Sequence, residues 1–197
     1  MSLVTRGVNS AFTARPTTAW VVERAETVQA EPMARIDLPP GDDLEVMRAF
    51  ALAPGLAAGA NAYDAAVWQS TLDWRLHELV RMRVAQINQC TVCLGWRTPQ
   101  AVEAGVTDEL LANVDRAAEL DDYTAAEKVA IEYATRFSTD SANIDDAFMD
   151  RMKAHFDAGE IVELTLVIGK YVALGRFMQV LGLDQACDLQ GALSANA

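Results

Sequence analysis

Apolar residues recur at helical spacing along most of the chain from residue 42 onward. One such stripe consists of Leu76, Leu79, Val80, Val84 and Ile87, which would share one face of a helix. Alternation of β-branched and polar residues, which is typical of half-buried strands, does not recur. The pattern therefore predicts an all-α domain, with candidate helices over residues 44–52, 55–69, 72–89, 91–104, 108–118, 125–137, 144–156 and 160–181.

Residues that cap or break helices support several of these boundaries. Thr124 is followed three positions later by Glu127, which is the spacing of a capping box. Gly182 stands where the last long helix should end. Pro99 falls inside the predicted helix 91–104 but is typical of a first helical position, so we expect that helix to kink or restart there.

The first part of the chain, residues 1–32, shows weak periodicity and is followed by a Pro-Pro-Gly breaker at 39–41. We therefore predict an N-terminal extension over 1–32 and a helical domain over 33–197. A segment of this length is normally mobile unless something ties it down, so we expect the extension either to act as an oligomer arm or to pack back on its own domain, with Trp20 among its anchors.

Composition narrows the partners that this domain can bind. Of the 197 residues, 51% are hydrophobic and 22% are charged, which is ordinary for a globular protein. The net charge of −12 repels nucleic-acid phosphates, so we expect no nucleic-acid partner. The longest apolar stretch is broken by Glu163, Lys170 and Arg176, so we expect no membrane partner. The opening residues lack a signal-peptide core, and we expect a cytoplasmic protein.

The most informative motif is the C-x-x-C formed by Cys90 and Cys93, between the predicted helices 72–89 and 91–104. A thiol in the first turn of a helix faces unpaired backbone N–H groups, which stabilise its thiolate. Two intervening residues allow the sulfurs to form a disulfide across one turn. This arrangement suits an attacking thiol and a resolving thiol in thiol–disulfide exchange.

Two other interpretations of the motif remain open at this point. A structural zinc site normally needs four ligands, and Cys187, His77 and His155 do not form a second ligand pair. We therefore expect neither a metal nor a cofactor. In the second interpretation, both thiols are only small buried hydrophobes. Their spacing in a chain with three cysteines argues against it.

Glu78 lies twelve residues before Cys90, on the preceding predicted helix. A carboxylate that lies beside a thiol pair can act as a general base or proton relay. Taken alone, a Glu with Arg75, Arg81 and Arg83 as neighbours is more typical of a solvated surface.

Residues 78–105, ELVRMRVAQINQCTVCLGWRTPQAVEAG, resemble the signature of the AhpD-like branch of the carboxymuconolactone decarboxylase family. That signature has a Glu, eleven spacer residues, C-x-x-C, three residues and a His, followed by an Ala-rich helix that ends in Gly. Glu78, Cys90 and Cys93 match it in type and spacing, and wider similarity runs over about residues 34–183.

The resemblance implies an AhpD-like bundle of about seven to eight helices that assembles as a homo-trimer or homo-hexamer. It also implies thiol-dependent reduction of a small hydroperoxide or disulfide, with electrons from a thiol or disulfide partner. By the same resemblance Cys93 is the attacking thiol, Cys90 is its resolving partner, and Glu78 passes protons together with the His of the signature.

This chain departs from the signature at one site residue, because Arg97 stands where the family has His. An Arg stays protonated and cannot relay protons, but its charge can stabilise a thiolate. We therefore expect Arg97 to act at the site by charge, and Arg97→His to raise peroxide turnover. His77 points about 100° away from Glu78 around a helix, so we interpret it as a packing or surface residue.

Three functions remain in competition. The first is a thiol-dependent peroxidase or disulfide oxidoreductase. The second is a decarboxylase-like enzyme on a small lactone acid, which needs acid–base residues rather than a thiol pair. The third is a catalytically degenerate oligomer that acts as a redox sensor or scaffold, which the missing imidazole favours.

Overall fold

The computed structural model describes residues 34–183, and the α-helices of this part are α1 (Glu45–Ala51), α2 (Pro54–Val67), α3 (Trp74–Asn88), α4 (Thr91–Gly95), α5 (Pro99–Glu103), α6 (Asp108–Ala112), α7 (Ala125–Thr139), α8 (Asp146–Lys153) and α9 (Ala158–Leu181). Short 3-10 turns cover Val114–Glu119 and Ser141–Asn143. The described part contains no strand, so the all-α prediction is confirmed. The predicted extension at 1–32, its role as an arm and Cys187 lie outside the described residues.

Helix α3 lies at the centre of the bundle and packs against both α7 and α9. Its predicted stripe divides between two hydrophobic clusters rather than lining one face. Leu76, Val80 and Val84 join a cluster with α7, α8 and α9. Leu79 joins a second cluster with the segment from α5 to the first 3-10 turn. Because α3 is buried on nearly every side, several of its polar residues are buried too, namely His77, Glu78, Arg81 and Asn88.

The predicted caps form as expected. Thr124 and Glu127 exchange the two hydrogen bonds of a capping box at the start of α7. Gly182 ends α9 in the left-handed conformation, with φ of 68°. An N-cap of this kind stabilises a helix by about 1 kcal/mol, so Thr124 fixes where α7 begins.

The helix count exceeds the expected seven to eight, since nine α-helices lie within residues 34–183. The predicted helix 91–104 is divided into α4 and α5, with Pro99 at the first position of α5. The predicted restart at Pro99 is therefore confirmed. The predicted helix 108–118 ends as an α-helix at Ala112 and continues as a 3-10 turn.

The close approach of α3 and α9 depends on Gly175. A Cβ atom at this position would lie 2.5 Å from the Nδ2 atom of Asn88 on α3. The same amide donates to the backbone carbonyl of Tyr171, at 3.0 Å. The missing side chain thus lets α9 settle against the end of α3, beside the thiol motif. Across 34–183, no helix combines the length and the apolar character that crossing a bilayer requires.

Candidate active site

The thiol motif begins at a sharp turn between α3 and α4. Gln89, at the C-cap of α3, has a left-handed φ of 52°, which is uncommon for a residue other than Gly. The turn makes Cys90 the N-cap of α4, and its Sγ atom accepts a hydrogen bond from the Cys93 N–H at 3.3 Å. The backbone N–H at the N-terminus of α4 thus donates to the sulfur of Cys90 rather than to that of Cys93, in contrast to the expectation from the sequence.

Cys90 and Cys93 form a disulfide, and their Cα atoms lie 5.2 Å apart. This separation is within the range that disulfides use, so the predicted pairing is confirmed. The two sulfurs differ in their surroundings. Cys90 is fully buried, whereas Cys93 is half-buried and lines a cavity. Of the two, Cys93 is therefore the one that a small molecule can reach.

A buried ion pair lies beneath the motif. The guanidinium of Arg81 contacts both carboxylate oxygens of Glu78, at 2.8 and 2.6 Å. The hydroxyl of Thr98 donates to the same carboxylate at 3.0 Å. The Arg81 and Glu78 side chains are only 1% and 0% exposed. The alternative of a solvated surface Glu is therefore wrong, because α3 offers hardly any exposed face at this level.

The same arginine connects α3 to the segment that carries the reactive thiol. Its Nη1 donates to the backbone carbonyl of Cys93 at 2.7 Å, and its Nη2 donates to that of Trp96 at 3.0 Å. Glu78 therefore reaches the thiol motif through Arg81. A charge-assisted network of this kind fixes the backbone position of Cys93, and it places a cation on the wall of the cavity that Cys93 also lines.

A cavity of about 230 Å³ opens beside Cys93. Its walls are formed mainly by apolar and aromatic side chains from α1, α4 and α9 and from residues that cap α1, α2 and α4: Leu44, Val46, Trp68, Val92, Trp96, Tyr171, Leu174 and Met178. Arg81, Asp64 and Lys170 add charged groups. Apolar walls with a few polar groups are typical of small-molecule sites, although this cavity is smaller than most.

Lys170 supplies a second buried cation to the cavity. Its Nζ atom lies 2.5 Å from a carboxylate oxygen of Asp64 and 3.8 Å from the centre of the Tyr171 ring. Burial lowers the pKa of the Lys170 ammonium, while the hydrogen bond with Asp64 opposes that shift. The ion pair and the ring contact together account for a buried lysine at this position.

His77 and Tyr171 form a polar pair at the aromatic wall. The Nε2 atom of His77 lies 3.1 Å from the Tyr171 hydroxyl. His77 is 1% exposed and packs against both Trp68 and Trp74, with ring centres 6.2 and 5.0 Å away. Burial lowers the pKa of His77 to about 4. Burial also raises the pKa of the Tyr171 phenol well above its usual range. Both groups are therefore neutral at physiological pH.

Residues 54–136 match the carboxymuconolactone decarboxylase family. This part of the chain, 83 of the 197 residues, is therefore similar to that family. The Escherichia coli K12 protein YnjA is 37% identical to it over 111 residues, which cover 55% of this chain and 60% of that protein. The match thus leaves more than a third of YnjA without a counterpart.

Two solved structures share the fold at 21% identity. A peroxidase-related protein from Silicibacter sp. TM1040 aligns with a TM-score of 0.64, covering 80% of this chain and 94% of that one. A putative antioxidant defence protein AhpD from Agrobacterium tumefaciens aligns with a TM-score of 0.61, covering 76% and 95%. The fold of the family's AhpD-like branch, inferred from the motif, is therefore confirmed.

Three of the four site residues inferred from the sequence come together, but the fourth faces elsewhere. Arg97 donates to a carboxylate oxygen of Asp108 at 2.8 Å and to the backbone carbonyls of Leu94 and Trp96 at 2.6 and 2.9 Å. It is not among the residues that line the cavity with Cys93. The expected action of Arg97 on the thiolate stays a prediction, and the cation that contacts the Cys93 backbone is Arg81.

Sequence reasoning missed three cavity residues: Arg81, Lys170 and Tyr171. Arg81 carried a signal, because it lies three positions after Glu78 and such a pair meets on a helix. Lys170 also carried one, as a charged residue inside the apolar stretch of α9. Tyr171 carried none that distinguishes it from a packing residue. Within residues 34–183, no three His, Cys, Asp or Glu side chains gather as metal ligands.

Proposed function

We propose that this protein is a thiol-dependent oxidoreductase that reduces a small hydroperoxide or disulfide with the Cys90–Cys93 pair. The observation that carries the proposal is the disulfide between a fully buried Cys90 and a half-buried Cys93 that lines a cavity. Attack on a small substrate needs an accessible sulfur, and resolution needs a second sulfur within bonding reach. Cys93 meets the first requirement and Cys90 meets the second.

In the proposed reaction the Cys93 thiolate attacks the outer oxygen of a hydroperoxide. A sulfur–oxygen bond forms, the oxygen–oxygen bond breaks, and the departing alkoxide takes up a proton to become an alcohol. Cys90 then attacks the Cys93 sulfenic acid, which forms the disulfide and releases water after a second protonation. A dithiol donor returns two electrons by two exchange steps and restores both thiols.

Arg81 is the residue that we assign to stabilising the Cys93 thiolate. Its guanidinium is held beside Cys93 by Glu78, and its charge persists at every working pH. Glu78 accepts hydrogen bonds from Arg81 and Thr98 on both of its oxygens. We therefore assign Glu78 a positioning role through Arg81, in place of the general base suggested by the resemblance.

Turnover of peroxide and disulfide substrates, measured with wild type, Cys93→Ser and Cys90→Ser, tests this function. Wild type should turn over with a dithiol donor, and both variants should lose turnover. Cys93→Ser should also fail to react with one equivalent of peroxide. Cys90→Ser should react once and stop at the Cys93 sulfenic acid. A wild type that consumes neither substrate, with either of two dithiol donors, would overturn the proposal and leave the decarboxylase-like and sensor alternatives.

We also propose that the protein works as a homo-trimer or homo-hexamer, in the cytoplasm and without nucleic-acid or membrane partners. Exposed apolar side chains support the assembly, notably Leu56 on α2 and Val162 and Leu166 on α9, at 81%, 57% and 52% exposure. Solvated apolar residues gathered on two helices are typical of interaction surfaces. A monomeric mass in sedimentation analysis would contradict the assembly without affecting the thiol chemistry.

A further inference from the structure

The reaction proposed above needs a proton at the alkoxide that leaves the peroxide, and Arg97 cannot deliver one. We propose that Tyr171 is the proton donor to the leaving oxygen, and that His77 positions its hydroxyl. This inference rests on the proposed peroxidase function and adds a donor from α9, outside the thiol motif.

The first support is location. Tyr171 and Cys93 line the same cavity of about 230 Å³, on walls that belong to α9 and α4. A small peroxide bound in this cavity would share it with both residues. The charged side chains that line this cavity form ion pairs, because Lys170 pairs with Asp64 and Arg81 pairs with Glu78. The Tyr171 hydroxyl is therefore the neutral acid at this place.

The second support is the hydrogen bond that holds the hydroxyl. His77 is neutral and can carry its proton on either nitrogen. Within the described residues its Nδ1 atom is buried without a hydrogen-bond partner, while Nε2 lies 3.1 Å from the Tyr171 oxygen. A proton on Nδ1 would leave a buried N–H unpaired, which costs more than an unpaired lone pair. The favoured tautomer thus donates from Nε2 to Tyr171 and leaves the phenol proton free.

The third support is the charge near the ring. The Lys170 Nζ atom lies 3.8 Å from the ring centre of Tyr171, and the positive charge of Arg81 favours the phenolate form and lowers the pKa of Tyr171 against the larger effect of burial. Burial raises the pKa of Tyr171, which keeps the hydroxyl protonated until an alkoxide forms. An alkoxide is about as basic as hydroxide, whose conjugate acid has a pKa of roughly 15.7, and it can take this proton.

The Cys93 thiolate forms a bond to the outer oxygen, the oxygen–oxygen bond breaks, and the leaving oxygen takes the Tyr171 proton to give an alcohol. Sulfur is oxidised and the peroxide is reduced by two electrons. The phenolate that remains recovers a proton from solvent through the cavity mouth before the next turnover.

A comparison of two leaving groups tests the donor. Alkoxide from tert-butyl hydroperoxide needs a proton, whereas acetate from peracetic acid leaves as a stable anion, because carboxylic acids have a pKa near 4. Single-turnover oxidation of pre-reduced protein is measured with each peroxide for wild type and Tyr171→Phe. The variant keeps the ring over Lys170 and lacks only the hydroxyl. We expect about a 100-fold slower reaction with tert-butyl hydroperoxide and less than about a 3-fold change with peracetic acid.

Two further variants complete the experiment. Tyr63→Phe is the matched control, because its hydroxyl bonds to the Leu166 carbonyl and is not part of the cavity wall. It should leave both rates unchanged. His77→Leu should slow the tert-butyl hydroperoxide reaction selectively, by less than Tyr171→Phe does.

Equal slowing of both peroxides by Tyr171→Phe, or no slowing, overturns Tyr171 as donor while the thiol chemistry stands. An unchanged ratio of the two rates in His77→Leu removes the positioning role of His77. A wild type whose thiols react with neither peroxide overturns the proposed peroxidase function itself, which separates that failure from failure of the donor.

Discussion

Two arginines hold the short segment that carries the reactive thiol, one from the inside of the bundle and one from its surface. Arg81 donates to the backbone carbonyls of Cys93 and Trp96. Arg97 donates to the carbonyls of Leu94 and Trp96. Both guanidinium groups thus hold the same segment by hydrogen bonds to its backbone carbonyls. They differ in the carboxylate with which each is paired.

The partners differ mainly in burial. The Arg81–Glu78 pair is 1% and 0% exposed, whereas the Arg97–Asp108 pair is 26% and 85% exposed. Breaking a buried pair leaves an uncompensated charge in the core, while an exposed pair is largely replaced by water. This difference indicates that the buried Arg81–Glu78 pair on α3 holds the site in place. The surface Arg97 adds little to the stability of the protein.

The largest effect is expected for Glu78→Gln. The substitution leaves the Arg81 charge buried without a counterion, so we expect a loss of about 3–5 kcal/mol in the free energy of unfolding. Urea denaturation measures it. The control is Glu119→Gln, which breaks the exposed pair with Arg116 at the same spacing along the chain and should cost less than about 0.5 kcal/mol. Similar losses in the two variants would erase the distinction between the buried and exposed pairs.

A second contrast between buried and exposed groups lies in the two histidines. His77 is 1% exposed with a pKa of about 4, whereas an unfolded histidine titrates near 6.5. Because the unfolded chain binds more protons in this window, stability is complete above about pH 6.5 and falls as the pH drops toward 4. We expect His77 to account for a loss of about 3 kcal/mol.

Denaturation of variants at pH 7 and pH 4.5 measures this contribution. His77→Leu should reduce the difference in stability between the two pH values by about 2–3 kcal/mol. His155 is exposed, and the control His155→Gln should keep the wild-type difference. If His77→Leu keeps it as well, the burial of a neutral imidazole is not what limits stability in acid.

The smallest effect is expected at the surface arginine. Arg97→His removes the exposed pair with Asp108, and its cost in unfolding free energy should stay below about 1 kcal/mol. An imidazole at this position restores a group that can carry protons, so peroxide turnover should rise by a larger factor than the thiolate fraction changes. Thermal unfolding and a peroxide assay measure the two quantities. Unchanged turnover would mean that the residue at position 97 does not limit the reaction.

The helices and the thiol pair could be predicted from the sequence because their signals are local. The capping box at Thr124, the restart at Pro99 and the C-x-x-C spacing depend only on residues within a few positions of each other. The apolar spacing of α3 was equally clear. It could not show that Glu78 and Arg81 are buried, because two clusters cover opposite faces of that helix.

The rest of the site depends on contacts between distant parts of the chain. His77 and Tyr171 are 94 positions apart and meet only when α9 packs on α3. Lys170 and Cys93 line the same cavity. They do so because the missing side chain of Gly175 lets α9 approach the end of α3, which leads into the thiol motif. No spacing rule within one helix predicts such a meeting. Arg97 is a different case, because its position in the motif predicted an action on the thiolate, its guanidinium pairs with Asp108, and that action stays a prediction.

The central claim is that Cys93 is the attacking thiol and that the buried Cys90 is the resolving thiol. Alkylation of the fully reduced protein, followed by mass spectrometry of the two cysteines over time, measures this asymmetry most directly. Cys93, which borders the cavity and the Arg81 guanidinium, should be modified first, with Cys90 at least about ten-fold slower because it is fully buried. Faster modification of Cys90, or equal rates for both thiols, would contradict the account.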